Sequence, residues 1–438
     1  MNIVLLSGGS GKRLWPLSGD MMSKQFLKLL KNENGEYESM SQRVLRQLKA
    51  ANSKANIYVS CNALQSDIVQ RQLGNVEIIS EPSRRDTFPA ISLAAAYLYY
   101  EKKLEESQVF VTCPIDPFAE HEYFSLLADT ANFVKSGRYK IGLMGAAPTY
   151  PSAKYGYIQQ KNGAVTGFVE KPSEEDAASL ISSGALWNCG VFALEIGYVL
   201  NHARKYVNFD SFQELYNQYE NLPKISFDYE VVEKEPQIAA VSYSGTWKDL
   251  GTWNTLTEEM SNTTIGENVL MSESCKNTHV INMLNIPVMA QDISDAIITV
   301  SYDGILISSK GGSSFIKPLA EKISMRPMYE QRKWGNYRVL EYKQLEKVSS
   351  LVKRLHVDAG QAISYQYHER RSEVWVILSG KGILTIDGVD SVVSPGSVIN
   401  VPVQARHSLL AATDLEFIEV QIGTGELEEE DIVRLEKG

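Results

Sequence analysis

Close to the N-terminus a glycine cluster is followed at once by two cations: Leu6-Ser7-Gly8-Gly9-Ser10-Gly11-Lys12-Arg13. Residues without a Cβ let backbone N–H groups turn toward an anion, and Lys12 and Arg13 add positive charge to the same short stretch. Phosphate binding by Ser7, Gly8, Gly9, Gly11 and Lys12 is the chemistry this composition offers. A plain glycine turn is the alternative, and glycines with basic neighbours do not by themselves decide between the two. Two common phosphate loops do not fit. A P-loop needs a glycine where Leu6 stands and Ser or Thr where Arg13 stands; a dinucleotide fingerprint starting at Gly9 needs a glycine where Leu14 stands.

The elements around this loop place it. Ile3 to Leu6 reads as a short buried strand, Ser41 to Ala51 as a helix, Asn56 to Val59 as a strand, Ala90 to Lys103 as a helix, and Val109 to Thr112 as a strand. Strands alternating with helices predict an α/β fold with a mixed, mostly parallel, Rossmann-like sheet. Ligands of such sheets bind beyond the carboxyl ends of strands, where the glycine loop and Asp116 both fall. A β-rich stretch follows at about Thr263 to Ile316. Arg326 to Arg338 reads as a linker. Beyond it, Val348–Val357, Val374–Leu378, Gly382–Ile386, Ser397–Val401 and Phe417–Gln421 are expected as short strands of a small barrel or sandwich. The acidic run Glu426 to Asp431 is expected to begin a solvated helix. No internal repeat is visible. The expected domains are 1–260, a β-rich connecting segment 261–325, and a barrel 326–438.

The chain's 438 residues exceed one ordinary core. Its 44% apolar and 22% charged residues fit a soluble globular protein, and its apolar runs fall short of a bilayer span. A net charge of −10 without a basic block argues against nucleic acid and against a membrane surface. Cys61, Cys113, Cys189 and Cys275 are scattered, which with the lack of a signal-like N-terminus predicts a reducing cytoplasm. The sequence is silent on assembly; a homodimer is compatible with it.

The string Gly8 to Ser18, reading GGSGKRLWPLS, followed by Lys24-Gln25-Phe26-Leu27, resembles the signature of the sugar-1-phosphate nucleotidyltransferases, and most closely the mannose-1-phosphate guanylyltransferases. The resemblance continues in order through Glu81-Pro82 with Arg85-Asp86-Thr87-Phe88-Pro89-Ala90, then Cys113 to Pro117, Tyr155 to Ile158, Phe168 to Pro172, Trp187 to Phe192, Asp228-Tyr229 with Val232 to Lys234, and Trp247 to Trp253. It implies attack of a sugar 1-phosphate on the α-phosphorus of a nucleoside triphosphate. By that resemblance Asp116 and Asp249 hold Mg²⁺, a hard ion suited to carboxylate oxygens. Arg13 and Lys24 hold the triphosphate tail, with Arg85, Asp86 and Thr87 near the nucleotide. Lys171 neutralises the sugar phosphate, and Gly156, Glu170 and Asn188 face the sugar. No general base is required, because a phosphate oxygen is already ionised at neutral pH. Asp86 stands for the family's Asn, Pro117 for His, Ile115 for Ser and Ser23 for Pro, so GTP is expected while CTP or UTP stay open.

In the C-terminal part, Gly360, Gln366, His368, Glu373 and Gly380, then Gly396, Pro402 and His407, fit the two sequence blocks of a cupin. Gln366, His368, Glu373 and His407 would then converge as ligands for Zn²⁺ or another divalent transition metal. Arg326-Pro327 with Trp334 to Tyr337, Glu419-Val420-Gln421 and Glu430 to Arg434 resemble the mannose-6-phosphate isomerase half of the type II bifunctional enzymes. Arg370 and Val374 replace the usual His, Gln404 the usual Gly and Ser408 the usual Arg. Two readings of the barrel follow: a second, isomerase activity, or a sugar-binding or assembly module. A sugar-nucleotide sensor is disfavoured, because it would not need both Asp116 and Asp249.

Overall fold

The computed structural model describes residues 1–8, 11–19, 22–344, 346–425, 427 and 431–435. The chain forms two compact units, Met1–Thr263 with Ser309–Lys317, and Thr264–Ser308 with Pro318–Gly438.

In the first unit the described residues form a nine-stranded sheet in the order Glu77–Glu81, Asn56–Asn62, Asn2–Ser7, Val109–Pro114, Leu186–Glu195, Ile141–Ala146, Ile238–Tyr243, Ala164–Glu170, Gly156–Lys161. The first four strands run parallel, Leu186–Glu195 is antiparallel to both neighbours, and Ile238–Tyr243 is parallel to Ile141–Ala146. The N-terminal strand shows why both faces are covered. Val4 and Leu6 join one apolar cluster, and Ile3 and Leu5 join the other, because successive side chains of a strand point to opposite faces. The helix Met40–Ala51 begins with a capping box: Ser39 Oγ accepts from Gln42 N at 3.2 Å, and Gln42 Oε1 accepts from Ser39 N at 3.1 Å. The helix Thr87–Ala96 is apolar on all sides and lies wholly inside, then continues as a π-type turn over Tyr97–Glu101.

The stretch 261–325, expected as one connecting segment, divides between the units. Thr264–Ile265, His279–Asn282 and Ala296–Ser301 stack in parallel, Thr264 against Val280 and Val280 against Ile298, like successive turns of a coil. The geometry repeats although the residues do not. This coil is tied to the barrel's first strand: Met328 N donates to Asp303 Oδ1 at 2.6 Å, and Tyr302 stacks on Tyr329 at 5.7 Å. Ser309–Lys317 belongs instead to the first unit.

The barrel consists of two antiparallel sheets. One runs Tyr329–Arg332, Gly335–Gln344, Ser349–Val357, Leu415–Gly423, Arg371–Ser379, Val398–Val401; the other runs Val389–Val393, Gly382–Ile386, His407–Ala411, Ala362–His368, Ile432–Arg434. The residues expected as a linker are therefore part of the fold. Arg332 pairs with Gly335 across a two-residue hairpin turn, and a Cβ at Gly335 would collide with the His356 carbonyl on the next strand. The acidic run is corrected as far as it is described: Glu426 and 428–430 lie outside the described residues, but Asp431 is buried and precedes the strand Ile432–Arg434. Its carboxylate accepts from Arg370 N at 3.1 Å and lies 3.6 Å from the Arg371 guanidinium, which explains why this acid leaves the solvent.

Candidate active site

Strand pairing assembles the acidic centre of the first unit. The parallel strands Asn2–Ser7 and Val109–Pro114 end side by side, and Ile115 N donates to Leu6 O at 3.1 Å. Asp116 therefore starts beside the glycine loop. The short strand Pro117–Ala119 then pairs antiparallel with Trp247–Asp249, with Asp249 opposite Pro117. That ladder carries Asp249 to Asp116 across a long stretch of chain. Lys24 joins them from the turn Lys24–Phe26, whose neighbour Gln25 is buried and donates to Ser7 Oγ at 3.0 Å.

The Lys24 ammonium lies 2.9 Å from Asp116 Oδ2 and 2.6 Å from Asp249 Oδ1. Burial alone would lower the Lys24 ammonium, but the two carboxylates outweigh it and hold it above its usual range. Burial likewise would raise Asp249, and Lys24 pulls it below the carboxylate norm. A cation already seated between Asp116 and Asp249 shows that their oxygens can share one positive charge, and carboxylate oxygens are the donor type that suits Mg²⁺.

Beside this centre opens a cavity of about 260 Å³. Its lining holds Lys24, Asp116 and Asp249 together with Gly156, Glu170, Asn188 and Asp228. A Cβ at Gly156 would collide with Glu170 Oε2, so this position needs its glycine. Asn188 Nδ2 donates to Asp228 Oδ1 at 2.7 Å, and Asn188 Oδ1 accepts from Gly190 N at 3.1 Å. Lys171, at φ +50°, bends its ammonium back to Glu170 Oε1 at 2.5 Å and over the Tyr229 ring at 5.5 Å. Asp228 is pushed up to about 7, by burial first and by Glu170 next. Lys154 and Tyr155 complete the wall, and Tyr155 packs edge-on against Trp247 at 5.5 Å.

The glycine loop is partly described. Gly9 lies outside the described residues. Ser7 is buried, and its hydroxyl is taken up inside the fold by Gln25 and Gln65. Gly8 is exposed, with open space where a Cβ would be. Gly11 is buried, and a Cβ there would approach Ser23 Cα to 2.9 Å. Lys12 and Arg13 stand on the turn Lys12–Leu14, with Arg13 exposed and its positive charge felt by Asp249. Arg85, Asp86 and Thr87 are not brought to the cavity and have local partners. Arg85 donates to Leu222 O at 2.8 Å and pairs with Glu220 at 2.5 Å. Asp86, at φ +73° and ψ −175°, a backbone region that L residues rarely adopt, accepts from Thr87 N at the helix start at 2.7 Å. Thr87 Oγ1 accepts from Phe227 N at 2.8 Å.

In the barrel, alternate residues of facing strands bring His368, Glu373 and His407 together. His368 Nε2 lies 3.1 Å from Glu373 Oε1, and His407 Nε2 lies 3.7 Å from Glu373 Oε2. The Nδ1 atoms face carbonyl oxygens: His407 meets Ala405 O at 2.9 Å and His368 meets Asp431 O at 3.3 Å. A carbonyl only accepts, so each Nδ1 donates and each Nε2 presents a lone pair toward Glu373 in the neutral ring. His407 Nε2 is buried without a hydrogen bond. Acceptors facing one another need a proton or a metal between them, and two imidazoles with a carboxylate suit a divalent transition metal. Arg371 is the competing cation, 3.0 Å from Glu373 Oε1. Burial would raise Glu373; with a proton on His368 Nε2 bridging to Glu373 Oε1, the charges of His368, Arg371 and His407 hold it well below the carboxylate range. Gln366 shares a strand face with His368 and pairs in register with His407, but its Oε1 accepts from Ser364 at 2.9 Å. Glu419 and Gln421 lie just behind: Gln421 Nε2 bridges Glu373 at 3.3 Å and Glu419 at 2.8 Å.

Residues 2–265 match the nucleotidyl transferase family model. The chain belongs to that family. Residues 322–437 match the model of the mannose-6-phosphate isomerase C-terminal region. Among relatives of this nucleotidyl transferase, a mannose-1-phosphate guanylyltransferase of Salmonella montevideo is 28% identical, covering 98% of each chain. The alginate biosynthesis protein AlgA of Pseudomonas putida is 30% identical, covering 99% of this chain and 95% of its own. A solved structure named as a mannose-1-phosphate geranyltransferase from Thermus thermophilus superposes with a TM-score of 0.61 at 25% identity, covering 74% of this chain and 99% of that one. The expected α/β nucleotidyltransferase fold followed by a cupin-type barrel is the one observed.

Within this nucleotidyl transferase the sequence missed Lys154, Tyr155 and Asp228 as cavity residues and Arg371, Glu419 and Gln421 around the histidines. Asp228 had a usable signal: it stands in a segment already matched to the family, next to Tyr229. Arg371 stood between two candidate ligands, His368 and Glu373.

Proposed function

We propose that this chain transfers the GMP group of GTP to α-D-mannose 1-phosphate, giving GDP-mannose and pyrophosphate. The single observation that carries this reading is the pair Asp116 and Asp249 meeting on one cation at the mouth of a cavity lined by Gly156, Glu170 and Asn188. An oxygen of the sugar phosphate attacks the α-phosphorus; that P–O bond forms as the bond to the pyrophosphate oxygen breaks. Asp116 and Asp249 hold Mg²⁺, which supplies the positive charge that screens the two phosphates from each other. Lys12, Arg13 and the backbone of Gly8, Gly9 and Gly11 hold the triphosphate, with Lys24 as a further cation. Lys171 meets the sugar phosphate, while Glu170 and Asn188 orient sugar hydroxyls across the bare backbone of Gly156. Positioning and charge do the catalysis, without a general base.

The barrel carries the second activity, interconversion of fructose 6-phosphate and mannose 6-phosphate, with His368, Glu373 and His407 holding Zn²⁺ or a similar ion and Gln366 beside them. The metal supplies carbonyl polarisation; Arg371 fixes Glu373. Among the described residues no helix is long and apolar enough to cross a membrane. A cytoplasmic enzyme supplying GDP-mannose for surface polysaccharide, working as a monomer or homodimer, fits this chemistry.

The deciding experiment offers mannose 1-phosphate and Mg²⁺ with GTP, CTP or UTP in turn and follows pyrophosphate. Release with GTP well above the others is the expected result. Release with CTP or UTP instead would reassign the base, and no release with any would remove the transferase reading for this sugar.

A further inference from the structure

Lys24 sits where a metal ion shared by Asp116 and Asp249 would have to sit. Its ammonium touches one oxygen of each carboxylate, at 2.9 Å and 2.6 Å, so a divalent ion bridging the pair would lie against this positive charge or displace it. The main chain at Lys24 is anchored. Ser23 is fully buried and its hydroxyl accepts from Gln65, Gln25 is tied to Ser7, and Phe26 lies in the apolar core. Only the four-carbon stem is free to turn, and it borders a small pocket with Leu14, Leu27 and Leu250 for neighbours. Like charges brought as close as Asp116 and Asp249 require a counter-ion, and here the chain supplies its own.

We infer that Lys24 is a resident counter-ion of the carboxylate pair, and that it gives up this place to a divalent ion only when a triphosphate offers the ammonium a new anionic partner. The inference rests on the proposed reading of Asp116 and Asp249 as the metal pair. It makes the affinities for metal and nucleotide interdependent through one side chain. Triphosphate draws Lys24 off the carboxylates and favours the metal; removal of Lys24 from the carboxylates by the metal equally favours triphosphate, because such coupling is reciprocal. The protein alone then holds divalent ions poorly at this centre, and the metal enters together with the nucleotide. An ordinary ion pair that merely steadies the cleft makes no such prediction.

The test reads Mn²⁺ binding by electron paramagnetic resonance on the full-length protein, with and without a non-hydrolysable GTP analogue. Lys24→Met keeps the stem and removes the charge. Without nucleotide, this variant is expected to bind Mn²⁺ at least about tenfold tighter than the unaltered protein. The gain should vanish in Lys24→Met/Asp249→Asn, a comparison that also subtracts any Mn²⁺ held by the barrel. The analogue should tighten Mn²⁺ binding to the unaltered protein by a similar factor and do much less to Lys24→Met. Equal or weaker Mn²⁺ binding by Lys24→Met, or an undiminished effect of the analogue, overturns the inference. If Lys24→Met does not fold by circular dichroism, Lys24→Gln is read in the same way. Failure of the underlying reading looks different: Asp116→Asn and Asp249→Asn would both keep full Mn²⁺ affinity in the presence of the analogue.

Discussion

The carboxylate pair of the first unit and the histidine pair of the barrel gather their side chains in opposite ways. Lys24 and Asp249 are separated by 225 positions, and with Asp116 their side chains stay 21–35% exposed. His368 and His407 are drawn from adjacent strands of one barrel sheet and Glu373 from the other sheet, and their side chains are at most 1% exposed. The open centre suits a reaction in which two phosphorylated reactants enter and pyrophosphate leaves. The closed one is satisfied from within: Arg371 balances the charge of Glu373, and Trp375 and Gln421 donate hydrogen bonds to it. On the proposed reading, exposure separates a site whose cation must be exchangeable from one whose ligands are fixed before anything binds.

Substituting one member of each centre is the harshest trial of this contrast. Asp249→Asn should lower GTP-dependent pyrophosphate release by about 10²–10³-fold while leaving isomerisation of fructose 6-phosphate untouched. An equal fall in both activities would erase the distinction between the centres. His407→Ala should abolish isomerisation and the transition metal measured by atomic absorption, with transfer kept within about twofold. Retained metal and isomerisation would remove His407 from the ligand set.

Gentler changes sharpen the open side. Gly156→Ala places a methyl group against Glu170 Oε2; KM for mannose 1-phosphate should rise roughly tenfold, with KM for GTP little changed. An unaltered sugar-phosphate KM would put the sugar elsewhere. The smallest effect concerns pH. Asp228 is raised from 3.8 to about 7, by burial and then by Glu170, so the folded protein holds this proton more tightly than the unfolded chain. The stability it contributes is complete below about pH 4 and lost as pH rises through 7. Above that value a second negative charge appears beside Glu170. KM for the sugar phosphate should therefore climb about three- to fivefold between pH 6 and 8, and stay level in Asp228→Asn. A profile that persists in Asp228→Asn would assign the titration to another group.

What could be read from the sequence was what lies contiguous along it. The strand Asn2–Ser7 with its glycine loop, and the strand Val109–Pro114 with Asp116, were legible because each candidate residue follows directly on the strand that carries it. The ladder that pairs Asp249 with Pro117 was not, since strands of three residues carry no periodicity. Arg85, Asp86 and Thr87 were named by the motif, and the structure adds what the letters do not carry: Arg85 donates to the Leu222 carbonyl and Asp86 accepts from Thr87 N at a helix start. The hairpin at Tyr329–Gln344 looked like a linker because Pro327, Trp334 and Gly335 are turn-rich, while its pairing partner, Ser349–Val357, lies further on. Asp228 was in view, yet its significance arises from Asn188 and Glu170, which reach it only in three dimensions.

The return of Ser309–Lys317 to the first unit has a practical consequence. The polypeptide passes from one body to the other after residue 263, back after 308 and out again after 317. No single scission of the gene can deliver both halves whole. A fragment ending at 263 forfeits Gly312–Phe315, whereas one extended to 317 drags the coiled turns along without the barrel strand they bond to.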